Sequence, residues 1–283
     1  MRAVKKVLVS ALIAAAVLAF AVVAIVWALN QFSSGGPLTA RCIATVGDLP
    51  EQRLDPDQAD NAALIAAISA QRELPARAAT IGIATAMQES KLRNIDYGDR
   101  DSLGLFQQRP SQGWGTEDQV QDPRYATEAF FDVLARIEGY NDMPVTDAAQ
   151  AVQRSAFPDA YAQHEKMARA FASALTGYSP AALNCRLHPA QSSDIAGFQE
   201  RLAADFPQAH AQSGSQEVSI ETGTVDDGSR QLWAIANWSV ALAQTYGIDS
   251  VTVAGQEWSR NQPWEQAQDA ADEPGVVRVI FAH

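Results

Sequence analysis

The pattern of apolar and polar positions divides the chain into three stretches of different character. The first stretch is an uncharged apolar run of 23 residues, from Val7 to Leu29. As a helix it would be about 35 Å long, which is enough to cross a bilayer. The apolar region of a cleaved signal peptide is only about 7–15 residues long, so this run predicts an uncleaved transmembrane signal anchor. The Ser, Gly and Pro content of residues 30–41 predicts a flexible linker after it.

The second stretch, residues 42–185, is dominated by helical periodicity. Helix starts are marked by Asp-Pro pairs, by Pro75, by Thr146 and by Pro158. They predict five helices: 56–73, 75–90, 123–138, one that begins at Thr146, and 158–175. Residues 91–103 are rich in Asp, Gly and Asn and predict an irregular loop or a small hairpin. We therefore expect a mainly α domain here.

The third stretch follows a second predicted linker at residues 186–193. Residues 194–283 predict a short helix, a long helix that Gly247 ends, and three short strands with the sequences VSI, VTV and VVRVIF. The fold class expected for the whole chain is thus a mainly α domain after one transmembrane helix, followed by a small α/β C-terminal domain.

Charge is distributed unevenly between these stretches. The whole chain has a net charge of −12, yet Arg2, Lys5 and Lys6 precede the apolar run and no acidic residue does. The bias of basic residues toward the cytoplasm predicts a cytoplasmic tail at residues 1–6 and an extracytoplasmic location for the bulk of the chain. An acidic protein is not expected to bind nucleic acid. The extracytoplasmic compartment permits a disulfide between Cys42 and Cys185, and two unpaired buried thiols are the alternative.

Several chemistries lack their sequence motifs. The four histidines are scattered, with neither HExxH nor paired Cys/His spacing, so no metal site is expected. The Asp-rich loop does not have the spacing of a calcium-binding EF-hand. P-loop, GxGxxG and GxSxG motifs are missing as well, and no cofactor is expected.

One carboxylate has an unusual setting. Glu89 is expected at the C-terminal end of an otherwise apolar helix, next to a loop. The helix dipole and partial burial would both disfavour its ionised form there, which suits a general acid at neutral pH. An ordinary solvated residue at the end of a helix is the alternative.

The residues around Glu89 resemble a known family. Glu89-Ser90, then Asn94, then Ser102-x-Gly104-Leu105-Phe106-Gln107 are similar to the motifs of the lytic transglycosylase and goose-type lysozyme superfamily, over about residues 64–175. The resemblance implies a lysozyme-like fold with a sugar cleft, in which Glu89 is the catalytic acid. It also implies that Ser90 orients Glu89 and that Ser102 and Gln107 belong to the cleft.

The chain departs from the family pattern at the later Ala-Tyr-Asn-Ala-Gly motif, which is missing. Gln153, Ser155 or Tyr161 could take its place in the cleft. A second carboxylate for hydrolysis could come from loop residues Asp96, Asp99 or Asp101, unless these cap their own turns. Trp114, in a Gly-containing loop, could stack on a sugar or cover the core.

These expectations describe a membrane-anchored enzyme that cleaves the MurNAc-GlcNAc bond of peptidoglycan. A lytic transglycosylase with Glu89 alone is favoured, and a hydrolase or a non-catalytic peptidoglycan-binding or scaffold protein remains open. The C-terminal domain contains Trp233, Trp238, Trp258 and Trp264. These tryptophans either form a small core or present Trp258 and Trp264 to glycan or to a cell-envelope protein partner.

Overall fold

A computed structural model describes residues 39–154, 158–222, 228–267 and 274–283. Within it, Ala40–His283 forms one compact unit. The predicted anchor at residues 7–29 lies outside the described residues. None of the helices within the described ranges is long and apolar enough to cross a membrane.

The described residues form nine α-helices, two 3₁₀ helices and nine strands. The helices are α1 (Pro56–Gln71), α2 (Ala76–Ser90), α3 (Glu117–Gln121), α4 (Pro123–Leu134), α5 (Val145–Gln153), α6 (Glu165–Leu175), α7 (Ile195–Asp205), α8 (Gly228–Ala241) and α9 (Ala243–Tyr246). The 3₁₀ helices are Pro110–Gln112 and Pro158–His164. The strands are β1 (Arg41–Ala44), β2 (Gln52–Leu54), β3 (Leu183–Arg186), β4 (Ala209–Ser213), β5 (Glu217–Thr222), β6 (Ile248–Val253), β7 (Gln256–Ser259), β8 (Gln262–Gln266) and β9 (Val276–Phe281).

Two antiparallel sheets accompany the helices, so the described residues have a mixed α/β fold. The first sheet has the order β2-β1-β3, and the second has the order β4-β5-β9-β6-β7-β8. In the second sheet, alternate residues of β5, β6 and β9 are buried, as expected when one face packs on helices. Helix α8 contacts all three of these strands and also contacts α1 and α6. One continuous hydrophobic core therefore joins the helical part to the C-terminal part.

The disulfide prediction is confirmed. Cys42 and Cys185 are bonded to each other and lie opposite one another on the neighbouring strands β1 and β3. Both cysteines are buried. The bond closes a segment with a sequence separation of 143 and so fixes both ends of the helical part at one place.

Several predicted boundaries were wrong for local reasons. Arg41 and Arg186 were assigned to linkers, but each pairs in the small sheet. Thr146 lies inside α5, because Pro144 takes the extended backbone conformation before that helix. Among the residues that the structure describes, the C-terminal part contributes six strands rather than three, since β4, β7 and β8 are short and largely polar and lack apolar alternation. The predicted division into folding units at 42–185 and 194–283 stays a prediction.

The four C-terminal tryptophans belong to the core. Trp233, Trp238 and Trp258 are buried, and Trp264 is partly buried, with its indole N–H donating to the carbonyl of Leu183 at 2.8 Å. An exposed surface formed by Trp258 and Trp264 is therefore wrong, because Trp258 is fully buried and the ring of Trp264 packs on Trp233 of α8.

Candidate active site

Helix α2 carries Glu89 in its last turn. The preceding turns of this helix consist mainly of small and branched residues that are buried. The helix ends because Lys91 takes a left-handed conformation with φ of 59°. The amide of Leu92 then donates to the carbonyl of Ala86 at 3.0 Å, which closes the last turn of the helix. This ending leaves Glu89 half-buried at the edge of the core.

The carboxylate of Glu89 is held by neutral groups. The buried hydroxyl of Tyr161 donates to its Oε1 at 2.7 Å, and the side chain of Gln153 also forms a hydrogen bond with it. Burial raises the pKa of Glu89, and these two hydrogen bonds offset that rise only in part. The site thus shifts Glu89 toward the protonated acid, which is the form that can give a proton to a leaving group.

Two side chains next to Glu89 form hydrogen bonds with the backbone at Leu105 and Phe106. Ser90 donates from its hydroxyl to the carbonyl of Leu105 at 2.7 Å. Gln153 donates its amide N–H to the carbonyl of Phe106 at 2.8 Å. The ring of Phe106 stacks on Phe130, with 4.7 Å between the ring centroids. Ser90 and Gln153 therefore fix the position of the loop relative to Glu89.

Gly104 is required where this loop turns. Its φ is +76°, and a Cβ at this position would clash with the carbonyl oxygen of Val120. Its amide donates to the carbonyl of Ile95 at 2.8 Å. Gln107 also has a positive φ, of 49°, and its side-chain Nε2 donates to the carbonyl of Tyr97 at 3.2 Å. The Glu89-Ser90 segment and the 102–107 segment of the predicted motif are therefore neighbours in the structure, and the loop that contains the second segment is tightly packed.

The other predicted residues are not among the side chains that hydrogen-bond Glu89. Ser102 is buried under the loop, and Trp114 packs partly buried against the core. Asp96 and Asp99 are exposed. Ser155 lies outside the described residues.

Asp101 has a structural environment of its own. Its carboxylate accepts hydrogen bonds from Arg109 Nε and from the backbone amide of Ser111, both at 2.8 Å. The hydrogen bonds from Ser111 and Arg109 lower the pKa of Asp101. Asp101 thus does not cap its own turn, because its partners lie 8 and 10 positions later in the chain and it joins two parts of the loop.

A polar cluster beside Glu89 was missed by sequence reasoning. The Nε2 atom of His164 lies 3.0 Å from the Oε1 of Gln88, the residue before Glu89. Burial lowers the pKa of His164, and the charge of Lys91 lowers it further. The signal that could have identified this cluster is weak, because the 3₁₀ helix 158–164 is needed to bring residues 76 positions apart together.

The site is described by its own geometry, because comparison of the chain with known proteins identifies no relative. Within the described ranges, no group of three or more His, Cys, Asp or Glu side chains is arranged to hold a metal ion. No protein-family model matches this chain, and no curated protein matches it either.

Proposed function

We propose that this protein is a cell-wall glycosidase that cleaves the MurNAc-GlcNAc bond of peptidoglycan, with Glu89 as its catalytic acid and base. The observation that supports the proposal most is the setting of Glu89: half-buried, with a raised pKa, and hydrogen-bonded by the neutral side chains of Tyr161 and Gln153. The proposal includes a lysozyme-like arrangement of the helical part and an N-terminal membrane anchor.

The reaction we propose is that of a lytic transglycosylase. Protonated Glu89 gives its proton to the glycosidic oxygen as the bond from that oxygen to C1 of MurNAc breaks. The resulting carboxylate then takes the proton of the 6-hydroxyl group as that oxygen bonds to C1. The products are a 1,6-anhydro sugar and a free 4-hydroxyl group on GlcNAc, and no water is consumed. One carboxylate performs both proton transfers.

A hydrolase would need a further carboxylate to activate water or to hold the intermediate. Of the three aspartates considered for this role, Asp101 is engaged by Arg109 and Ser111, and Asp96 and Asp99 lie on an exposed loop. In the part of the chain that the structure describes, both side chains that hydrogen-bond Glu89 and affect its pKa are neutral. These observations favour the single-carboxylate route.

The test is digestion of purified sacculi by the full-length protein, followed by mass spectrometry of the released sugars. We expect anhydro-muropeptides from the wild type and none from Glu89→Gln, which keeps the shape of the side chain but cannot transfer a proton. Glu138→Gln is the matched control, because Glu138 is an exposed carboxylate in the same helical part. It should retain the wild-type activity.

Two other outcomes would overturn parts of the proposal. Products with new reducing ends would indicate a hydrolase, and Asp96→Asn, Asp99→Asn and Asp101→Asn would then identify its second carboxylate. Binding to sacculi without release of sugars by any variant would indicate a non-catalytic wall protein.

A further inference from the structure

A cavity of about 500 Å³ lies away from Glu89, where the helical and C-terminal parts meet. Four short segments enclose it: residues 70–76 between α1 and α2, the turn after α6, residues 205–208 after α7, and the first turns of α8. Its volume is within the range of small-ligand sites in proteins. The cavity is therefore large enough to hold a small ligand, and its lining residues do not include Glu89.

An immobilised tyrosine stands at this cavity. Tyr178 is 57% exposed, and only Tyr97 is a comparably exposed large hydrophobic residue in the described ranges. The guanidinium of Arg230 lies 4.8 Å from the centre of the Tyr178 ring and donates to its hydroxyl at 2.6 Å. The ring is therefore exposed and yet held in one orientation.

The turn that carries Tyr178 is also fixed through its backbone. Gly177 has φ of +78°, and a Cβ there would clash with the carbonyl oxygen of Arg230. Tyr178 and Arg230 are thus positioned against each other by close backbone packing as well as by their side chains. An aromatic ring that is already ordered loses little conformational entropy when a ligand stacks on it.

The other residues that line the cavity combine amide side chains with apolar ones. Gln71 donates its amide to the carbonyl of Ala204, which fixes that amide at the cavity, and Gln208 is exposed beside it. Apolar surface comes from Leu74, Pro75, Phe206 and Ala234. A hexopyranose has the complementary character, because it presents an apolar C–H face and a rim of hydroxyl groups.

The charge of the cavity distinguishes it from a second one. Glu73 and Arg230 balance each other, and the carboxylate of Asp205 is paired with two arginines. By contrast, a cavity of about 410 Å³ on the polar face of the large sheet contains three glutamates and one arginine. A neutral polar ligand suits the first cavity and a cationic one would suit the second.

We infer that the cavity at Tyr178 binds a saccharide chain, with a sugar ring stacked on Tyr178 and hydroxyl groups bonded to the surrounding amides. This inference deepens the proposed function, on which the choice of a peptidoglycan sugar as ligand rests. The cavity would hold the glycan strand at a distance from Glu89, which makes the C-terminal part a contributor to substrate binding.

The test uses the full-length Glu89→Gln protein, so that no sugar is turned over. A GlcNAc tetrasaccharide is titrated calorimetrically, and hydrogen exchange locates the protected segments. We expect protection of residues 70–76 and 176–178, and an affinity at this site about five- to tenfold weaker in Tyr178→Ala. Tyr178→Phe keeps the ring and should retain most of the affinity. Tyr97→Ala, the matched deletion of the other exposed tyrosine, should leave this protection unchanged.

Two results would overturn the inference: wild-type affinity and protection in a folded Tyr178→Ala protein, or protection by a stem tetrapeptide but not by the sugar. If Tyr178→Ala does not fold, Gln208→Ala provides the same test from an exposed position. Sugar binding at this cavity together with an inactive wild-type protein would contradict the proposed function and leave the inference standing. Cleavage of sacculi by the wild type without protection of residues 70–76 and 176–178 by the sugar would contradict the inference and leave the proposed function standing.

Discussion

Glu89 and Asp205 are both withdrawn from solvent, but their surroundings differ in charge. The side chain of Asp205 is 0% exposed and is paired with Arg124 and Arg201. It also accepts a hydrogen bond from the indole N–H of Trp238 at 2.7 Å. Glu89 remains half-buried, and its hydrogen-bonding partners Tyr161 and Gln153 are neutral.

The difference shows how one chain can use a buried carboxylate in two ways. At Asp205, two guanidinium groups and an indole N–H contact one carboxylate, so the residue ties α7 to α4 and α8. At Glu89, burial raises the pKa, and only hydrogen bonds from neutral side chains offset that rise. The first arrangement suits a structural role, and the second is what acid/base chemistry requires.

The largest effect should come from removing the charge at Asp205. Asp205→Ala leaves Arg124 partly buried without its anion and leaves Arg201 with Asp60 alone, which should lower the free energy of unfolding by about 3–5 kcal/mol. Urea denaturation followed by tryptophan fluorescence measures this loss. Glu89→Gln is the comparison, and we expect it to change the same quantity by less than about 1 kcal/mol. Equal losses in the two variants would show that the carboxylates do not differ as described.

A smaller effect is expected from the hydroxyl group that contacts Glu89. Tyr161→Phe removes one hydrogen bond and should cost about 1 kcal/mol of stability. Because that bond favours the ionised carboxylate, its loss should raise the pKa of Glu89 further. The decline of activity with rising pH should then move to higher pH.

The control for this variant is Tyr97→Phe, which removes an exposed hydroxyl group and keeps the backbone carbonyl that Gln107 contacts. It should leave the pH profile where it is. A profile for Tyr161→Phe that moves to lower pH, or does not move, would contradict the role given to the Tyr161 hydroxyl.

Local signals predicted the helices well and the site in part. Asp55-Pro56 marks the start of α1, and the Glu89-Ser90 and Gly104-Gln107 segments are contiguous motifs, so a linear reading can find them. Strand β4 is nearly all exposed and polar, so it carries no apolar period. Pairing with β5 is what orders it, and pairing is not visible in its own sequence.

Long-range contacts explain what could not be predicted. Tyr161 reaches Glu89 across 72 positions, and the sequence offered it only as one of three candidates beside Gln153 and Ser155. The pairing of Arg124 with Asp205 spans 81 positions and had no local signature. A side chain's type indicates which bonds it can form, but the fold decides which partner it meets.

The smallest effect we predict is a difference in how stability depends on pH. The pKa of Glu89 is raised above its unfolded value, so its contribution to stability is fully present below the unfolded pKa and is lost as pH rises through the folded pKa. Wild type should therefore lose stability relative to Glu89→Gln as pH rises above the ordinary glutamate pKa of 4.5. Asp101 has a lowered pKa, and its contribution should instead be lost as pH falls through its folded pKa. Unfolding measured from neutral pH to below the ordinary pKa values of Glu and Asp, 4.5 and 3.8, should thus give Glu89→Gln and Asp101→Asn differences from wild type of opposite slope. Slopes of the same sign would contradict the distinction between a carboxylate whose pKa is raised by burial and one whose pKa is lowered by the hydrogen bonds from Ser111 and Arg109.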